Sequence, residues 1–422
     1  MSGLKGRLAA AAGALLVAGT VGTLVLPSAD AATSSSDYLV GQLTDGNHLT
    51  NSYGVDYGLT ADLAIALAAS NDQDPALGRV VGYLAAHVAD YADPAGTGQY
   101  PGPYGGALGK LALVAESTGQ DPTSFGGFDL LTTLTGHVCT AADSSGACTA
   151  AGDFYQSYST ISQSLAVLAL ARDGQTPPAA TVSRLEELQC SDGGFSSELI
   201  AAGAPCTSDV DTTSYAAQAL ALLPGTGTQV GKARDFLLAA QQGDGGFLGA
   251  AGENANSTGL AGQALQAVGI GSASGDPIGA AKTFLVGLRT SGGGFAINSS
   301  TPGADVRSTT QAVPMLAGAV LATVSDPVTA VTPTTTPTST TPSTPASSAP
   351  ASTPSHRPTP STAASSAVAP QPTGTLSVAA VDAGSQLANT GSRTRVPLVL
   401  AVLLVALGAG ALAVARRAGQ RR

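Results

Sequence analysis

Long uncharged apolar stretches open and close the chain, and between them apolar residues recur at the spacing of helices. The first stretch runs from about Leu8 to Leu26, after Lys5 and Arg7 and before Pro27 and the small-residue run Ala29-Asp30-Ala31. The last runs from Pro397 to Ala415 and is followed by Arg416, Arg417, Arg421 and Arg422. From about Asp37 to Ala330 the pattern comes in blocks. Each block has one helical segment, a Gly-rich break and a second helical segment built on small and apolar residues, such as Ala216-Ala217-Gln218-Ala219-Leu220-Ala221-Leu222-Leu223.

Three breaks are near copies of one another: Gln189-Cys190-Ser191-Asp192-Gly193-Gly194-Phe195, Gln241-Gln242-Gly243-Asp244-Gly245-Gly246-Phe247 and Arg289-Thr290-Ser291-Gly292-Gly293-Gly294-Phe295. Each leads to a polar helix start: Asp209-Val210-Asp211-Thr212-Thr213, Asn254-Ala255-Asn256-Ser257-Thr258 and Asp305-Val306-Arg307-Ser308-Thr309. Asp and Asn there cap free backbone N–H groups. Weaker copies begin at Asp56-Tyr57-Gly58-Leu59-Thr60, at Tyr104-Gly105-Gly106 and at Tyr158-Ser159-Thr160. Aligning Thr60, Gly106, Thr160, Thr213, Thr258 and Thr309 gives spacings of 46, 54, 53, 45 and 51 residues, hence six helical hairpins. Six such hairpins predict an all-α, (α/α)6 toroid over residues 33–330, six inner helices ringed by six outer ones. An open α-solenoid is the alternative.

The ends specify an address. Residues 1–32 have the three-part layout of a secretory signal peptide, with cleavage after Ala31 or Ala32. Residues 331–386 are rich in Thr, Pro, Ser and Ala, a composition that buries no core and predicts a disordered spacer. Residues 397–415 are long enough for a transmembrane helix, and the arginines of 416–422 would hold a basic tail in the cytoplasm.

Composition narrows the partners. The segment Asp37–Ala330 has nine basic and 26 acidic residues, a formal charge of −17, which excludes nucleic acid and favours a neutral or cationic partner. It has no Trp. Cys139, Cys148, Cys190 and Cys206 would be oxidised outside the cell. Three pairings are possible; proximity favours Cys139–Cys148 and Cys190–Cys206. A zinc site is the rival, but there is no C-x2-C pair and His137 is the one histidine nearby.

Two resemblances follow. Leu387-Ala388-Asn389-Thr390-Gly391, set before an apolar run and an arginine tail, resembles the sorting signal of sortase substrates in its LAxTG form, as found in high-GC Gram-positive bacteria. That implies sortase and cell-wall peptidoglycan as partners, with Thr390 as the acyl donor and the protein held at the cell surface. The repeat with its Gly-Gly-Phe turn resembles the QW repeat of the squalene cyclase family, with Phe in place of Trp. Terpene cyclases, protein prenyltransferase β subunits, complement thioester domains and the larger domain of vitamin B12 carriers share the toroid it implies.

The chemistry of those families is only partly present. Asp209-Val210-Asp211-Thr212 approaches the D-x-D-D acid motif of class II cyclases but ends in Thr212. The domain's histidines, His48, His87 and His137, follow no zinc motif of the prenyltransferases, and Gln189-Cys190-Ser191 is no thioester site. Glycan-active (α/α)6 enzymes need paired carboxylates, which Asp209 with Asp211 or Asp56 with Asp62 would offer, and aromatic platforms, for which Tyr57, Tyr104, Tyr155, Tyr158 and Tyr215 are available. The sequence therefore favours a non-catalytic module that binds a small ligand or surface partner, with no cofactor and no metal; an enzyme of the cyclase or glycan-active kind is the alternative. The site would lie where the inner helices begin, at Asp56, Tyr57, Tyr104, Tyr158, Asp209, Asp211, Asn254, Asn256, Asp305 and Arg307. Arg307, the one cation among these starts, would meet an anionic ligand group or pair with Asp209 or Asp305.

Overall fold

A computed structural model describes residues 28–93, 102–271 and 276–333. The sorting motif, the apolar run 397–415, the basic tail, nearly all of the spacer and residues 1–27 lie outside these. Among the described residues no helix is long and apolar enough to cross a membrane.

Thirteen helices are described. The inner ring is α2 (Tyr57–Ser70), α5 (Gly105–Ser117), α7 (Thr160–Arg172), α9 (Val210–Ala221), α11 (Ala255–Ala267) and α13 (Val306–Ala317). Each packs on the next in that order, and α13 packs on α2, so the ring closes and the open solenoid is excluded. The outer helices are α1 (Ser28–Gly41), α3 (Asp74–Ala86), α6 (Leu130–Gly136), α8 (Ala179–Glu187), α10 (Gly227–Ala240) and α12 (Pro277–Gly287); a short α4 (Val88–Ala92) extends α3. The chain alternates outer and inner, so the first outer helix, α1, packs on the last inner one, α13, and on α2. Ser35 Oγ seals this closure by donating to the Gly293 carbonyl at 2.6 Å.

The inner helices are buried on nearly every side, which is why their sequences are apolar all round rather than striped. Close approach explains the small residues. A Cβ on Gly109 of α5 would stand 2.7 Å from the Ala166 backbone of α7, and one on Gly259 of α11 would stand 2.4 Å from the Gln311 carbonyl of α13.

The Gly-Gly-Phe turns end outer helices, as expected. In each, the first glycine takes a positive φ, near 97°, 96° and 90° at Gly193, Gly245 and Gly293. The second lies under a side chain, Phe236 over Gly194 and Phe284 over Gly246, leaving no room for a Cβ. Phe195, Phe247 and Phe295 then plug the gap between the layers with no exposed surface. Their N–H groups donate to the hydroxyls of Thr213, Thr258 and Thr309 at 2.9–3.0 Å. Gln189 and Gln241 tie each turn to the next outer helix, through the Gln229 and Pro277 carbonyls.

Two expectations need correction. Thr60, Thr213, Thr258 and Thr309 each stand four residues after a helix cap and donate to the carbonyl of that cap. Thr160 and Gly106 do not share this position. In α7 the residue four beyond the cap Ser159 is Gln163, whose side chain accepts from Phe154 N–H as the threonines do for their phenylalanines. In α5 it is Leu108. Nor is the domain purely helical. Four two-stranded antiparallel hairpins join outer to inner helices: β1–β2 (Thr50–Asn51, Gly54–Val55), β3–β4 (Phe195–Ser196, Ser208–Asp209), β5–β6 (Phe247–Gly249, Gly252–Asn254) and β7–β8 (Phe295–Asn298, Thr301–Asp305). The last three form because the plug phenylalanine and the helix cap sit side by side, as Phe195 opposite Asp209, Phe247 opposite Asn254 and Phe295 opposite Asp305.

Both disulfides are present, Cys139–Cys148 and Cys190–Cys206, each closing a short loop on this same side. After α13 the chain runs as a strap, residues 319–333, across the opposite end of the ring. Leu321 N–H donates to Gln218 Oε1 at 3.0 Å, and Asp326, Val328 and Val331 donate to the carbonyls of Ser117, Thr118 and Gly78. A Cβ on Gly82 would stand 2.0 Å from the Val331 carbonyl, so glycine alone lets the strap lie this close to α3.

Candidate functional site

Because every outer helix returns the chain, the six inner helices point the same way. Their N-termini, with the partial positive charge of helix ends, gather at one mouth of the ring. All ten residues picked from the sequence lie at that mouth, but the structure gives them different work.

Asp56, Asp209, Asn254 and Asp305 are caps. Their side-chain oxygens accept from the N–H groups of Leu59, Thr212, Ser257 and Ser308 at 2.7–2.9 Å. Asn256 accepts from Ser308 Oγ at 2.7 Å, joining α11 to α13. Tyr57 belongs to an aromatic pile with Tyr83, His87 and Tyr91, in which His48 stacks on Tyr83 at 4.4 Å. Burial, with Tyr83 and Asp90 close by, holds its phenol above the ordinary tyrosine range. Tyr104 is buried at the start of α5 with its ring 6.4 Å from that of Tyr158.

Asp211 and Arg307 differ from the rest. Each is the second residue of its inner helix, one position past the first turn's entry, and each is half-buried. Asp211 Oδ1 and Arg307 Nη1 are both buried with no hydrogen-bond partner. Arg307 forms no ion pair within 4.0 Å with Asp209 or Asp305. Burial, reinforced by the Asp209 charge, outweighs a hydrogen bond from the Ser257 side chain and raises the Asp211 carboxyl to about 7.

One turn deeper lies an axial cavity lined by all six inner helices: Asp62 and Ile65, Lys110, Leu165, Tyr215, Leu260 and Gln263, and Thr310, Gln311 and Pro314, with Leu321 of the strap. It has room for about one water molecule. Lys110 Nζ meets Asp62 Oδ1 at 2.7 Å with both groups buried. Burial alone would lower the Lys110 pKa; the Asp62 carboxylate, with Tyr91 and Tyr215 near, outweighs it and holds the ammonium charged. Burial and Asp62 together raise the Tyr215 phenol. The charges of Asp211 and Arg307 also act on that phenol, in opposite directions. Among the described residues, no group of three His, Cys, Asp or Glu is placed to hold a metal.

Sequence reasoning passed over Lys110 and Gln311. The available signal was a lone charge within an apolar helix, Leu108-Gly109-Lys110-Leu111 facing Ala61-Asp62-Leu63, which implies a buried pair. The glutamine carried no such signal.

No protein-family model and no curated relative matches the chain. Solved structures do match, at low identity. An inactive variant of an α-1,6-mannanase from Salegentibacter, in complex with α-1,6-mannotriose, is 12% identical with a TM-score of 0.50, over 70% of this chain and 100% of its own. A type II terpene cyclase from Scytonema is 12% identical with a TM-score of 0.49, over 69% and 97%. A protein from Actinoplanes is 14% identical with a TM-score of 0.48, over 70% and 100%. The mannanase likeness agrees with the ring described above: the chain contains an α/α-toroid. At such identity the likeness speaks for the fold alone.

Proposed function

We propose that the chain is exported, joined to peptidoglycan at Thr390 by a sortase, and displays its toroid to bind a small ligand or surface partner at the mouth. The disulfides Cys139–Cys148 and Cys190–Cys206 support an extracellular home, and the signal peptide and sorting motif support the route. One observation carries the binding site: of the ten mouth residues, Asp211 and Arg307 keep a buried polar atom with no partner. Unsatisfied buried groups cost about 1–3 kcal/mol each, so a ligand that pairs them recovers that cost.

Binding is favoured over catalysis because the axial cavity is small. Leu165, Leu260, Leu321 and the Asp62–Lys110 pair line it, and it has room for about one water molecule rather than an isoprenoid chain. Asp209, the carboxylate nearest Asp211 in sequence, is spent on capping. One feature supports the enzyme alternative: Asp211 holds the place of the proton-donating Asp in the D-x-D-D motif, with a pKa near neutrality that suits a general acid.

Two experiments test the proposal. In the native host, Thr390→Ala should move the protein from the wall fraction to the membrane or medium; unchanged wall attachment would refute the sortase route. For the site, a thermal-shift screen of the purified toroid with cobalamins, wall fragments and isoprenoids should find a stabilising ligand whose effect is lost in Arg307→Met. A tight binder adds about 2.7 kcal/mol at a hundred times its Kd. Turnover of an isoprenoid or glycan that Asp211→Asn abolishes would replace binding with catalysis.

A further inference from the structure

The strap lies on the ring as an extended chain. Residues 319–331 form no helix or strand, and burial alternates along them: Val324 and Asp326 are buried, whereas Ser325, Pro327 and Thr329 are exposed. Its outer half is held by backbone bonds met in chain order. Asp326 N–H donates to the Ser117 carbonyl at 2.8 Å, Val328 N–H to Thr118 at 3.1 Å and Val331 N–H to Gly78 at 2.9 Å. Gln120 Nε2 donates to the Val328 carbonyl at 2.8 Å. The inner half is held by Arg172, which donates to the Leu321 and Val324 carbonyls, and by Gln218, which accepts from Leu321 N–H. The Leu321 side chain lines the axial cavity.

Two features make the outer half easy to lift. Gly78 and Gly82 of α3 lie beneath the Thr329 and Val331 carbonyls, where a Cβ would collide, so backbone rests on backbone without interlocking side chains. Asp326 is buried with its Oδ2 lacking a hydrogen bond, and the charges of Asp74 and Asp72 act against it. A segment with few buried contacts opens at a lower cost than the core it covers.

The chain also fixes the direction of load. Val331 leads into the Thr/Pro/Ser/Ala-rich residues 331–386 and the sorting motif. A pull from that side reaches the Val331–Gly78 bond first, then Val328–Thr118, then Asp326–Ser117. Bonds loaded in turn yield at a lower force than bonds loaded together, because each resists the whole pull alone. Past Gly318 the load meets α13, which packs on α11, α2 and α1. Peeling therefore ends where the ring begins.

We propose that residues 319–331 are a force-released latch: tension on the wall-anchored tail peels them from the ring, and withdrawal of Leu321 uncovers the far end of the axial cavity. The source of the load rests on the anchoring at Thr390; the latch itself rests on the bonds above.

The test pulls the mature chain in an optical trap between its C-terminal tail and a handle on α10, attached in an Asp235→Cys variant at an exposed position. The load then enters through the strap without crossing α1. Thirteen residues at about 3.5 Å each give an early, reversible lengthening of at most about 45 Å, ahead of the larger steps of ring unfolding. Gly82→Ala should lower the force of that early step and leave the later ones unchanged or higher, because the methyl displaces Val331 while alanine favours α3. A ring that unfolds with no earlier step, or an early step that Gly82→Ala leaves unchanged, would overturn the latch. A step of only about 25 Å would stop at Val324 and overturn the uncovering of the cavity. If the full step appears but Thr390→Ala leaves wall attachment unchanged, the latch stands and the sortase reading alone falls.

Discussion

The two ends of the ring hold the same pair of functional groups, a carboxyl and a guanidinium, in opposite arrangements. At the far end, Arg172 Nε lies 3.3 Å from Glu116, and its other nitrogens donate to Ser117 Oγ and to the Leu321 and Val324 carbonyls of the strap. At the mouth, Asp211 and Arg307 form no ion pair within 4.0 Å. Burial raises both carboxyls, Glu116 to about 8 and Asp211 to about 7, so both ends carry an electrostatic cost. At the far end the strap satisfies Arg172 and closes the ring, although both Glu116 carboxyl oxygens are buried without a hydrogen bond. At the mouth Arg307 Nη1 has no such partner, so the two ends differ in the guanidinium rather than in the carboxyl.

This contrast can be broken by mutation. Arg172→Met should cost about 2–4 kcal/mol in urea denaturation, because it leaves Ser117 Oγ and two strap carbonyls without their buried hydrogen bonds. The matching change at the mouth, Arg307→Met, should stay within about 1 kcal/mol of the parent. A comparable loss at both ends would show that Arg307 is structural and would remove the distinction.

Proton linkage gives a smaller and sharper test. Glu116 and Asp211 titrate near 8 and 7 when folded, against 4.5 and 3.8 ordinarily. Folded carboxyls with raised pKa values hold protons more tightly than unfolded ones. The stability they contribute is full below about pH 4 and lost as pH rises through 7 to 8. His48, lowered by burial, works the other way below its ordinary value of 6.5. Between pH 5 and pH 8 the toroid should lose roughly 2–4 kcal/mol, measured by urea denaturation at each pH. Glu116→Gln and Asp211→Asn should each flatten part of that slope. A parent more stable at pH 8 than at pH 5 would refute these environments.

Much of the ring was legible because its devices are local and repeated. Asp-Gly-Gly-Phe specifies a left-handed turn followed by a buried plug, and an Asp or Asn a few residues before a Thr specifies a capped helix start. The repeat was misaligned at Thr160 and Gly106 because the bond it serves, from a phenylalanine N–H to a side chain, can be made by Gln163 as well as by threonine. Sequence similarity does not see that exchange. The short hairpins were missed for a related reason: three of the four follow from plug and cap lying side by side, and strands of two to five residues leave no period to read.

The sequence by itself determined six helical hairpins, five with a side-chain cap on the inner helix, and two cysteine pairs, all of which rest on contacts within or between neighbouring repeats. Only the tertiary structure decided which polar residues at the mouth were spent. Asp209 and Asp211 are two residues apart and chemically identical, yet one caps a helix and the other keeps a buried oxygen without a hydrogen bond. The same holds for Gln263 and Gln311, one bonded across to α13 and the other unbonded in the cavity. That difference depends on helix rotation and on what the opposite side of the ring supplies, and residues more than a hundred positions away in the chain supply it.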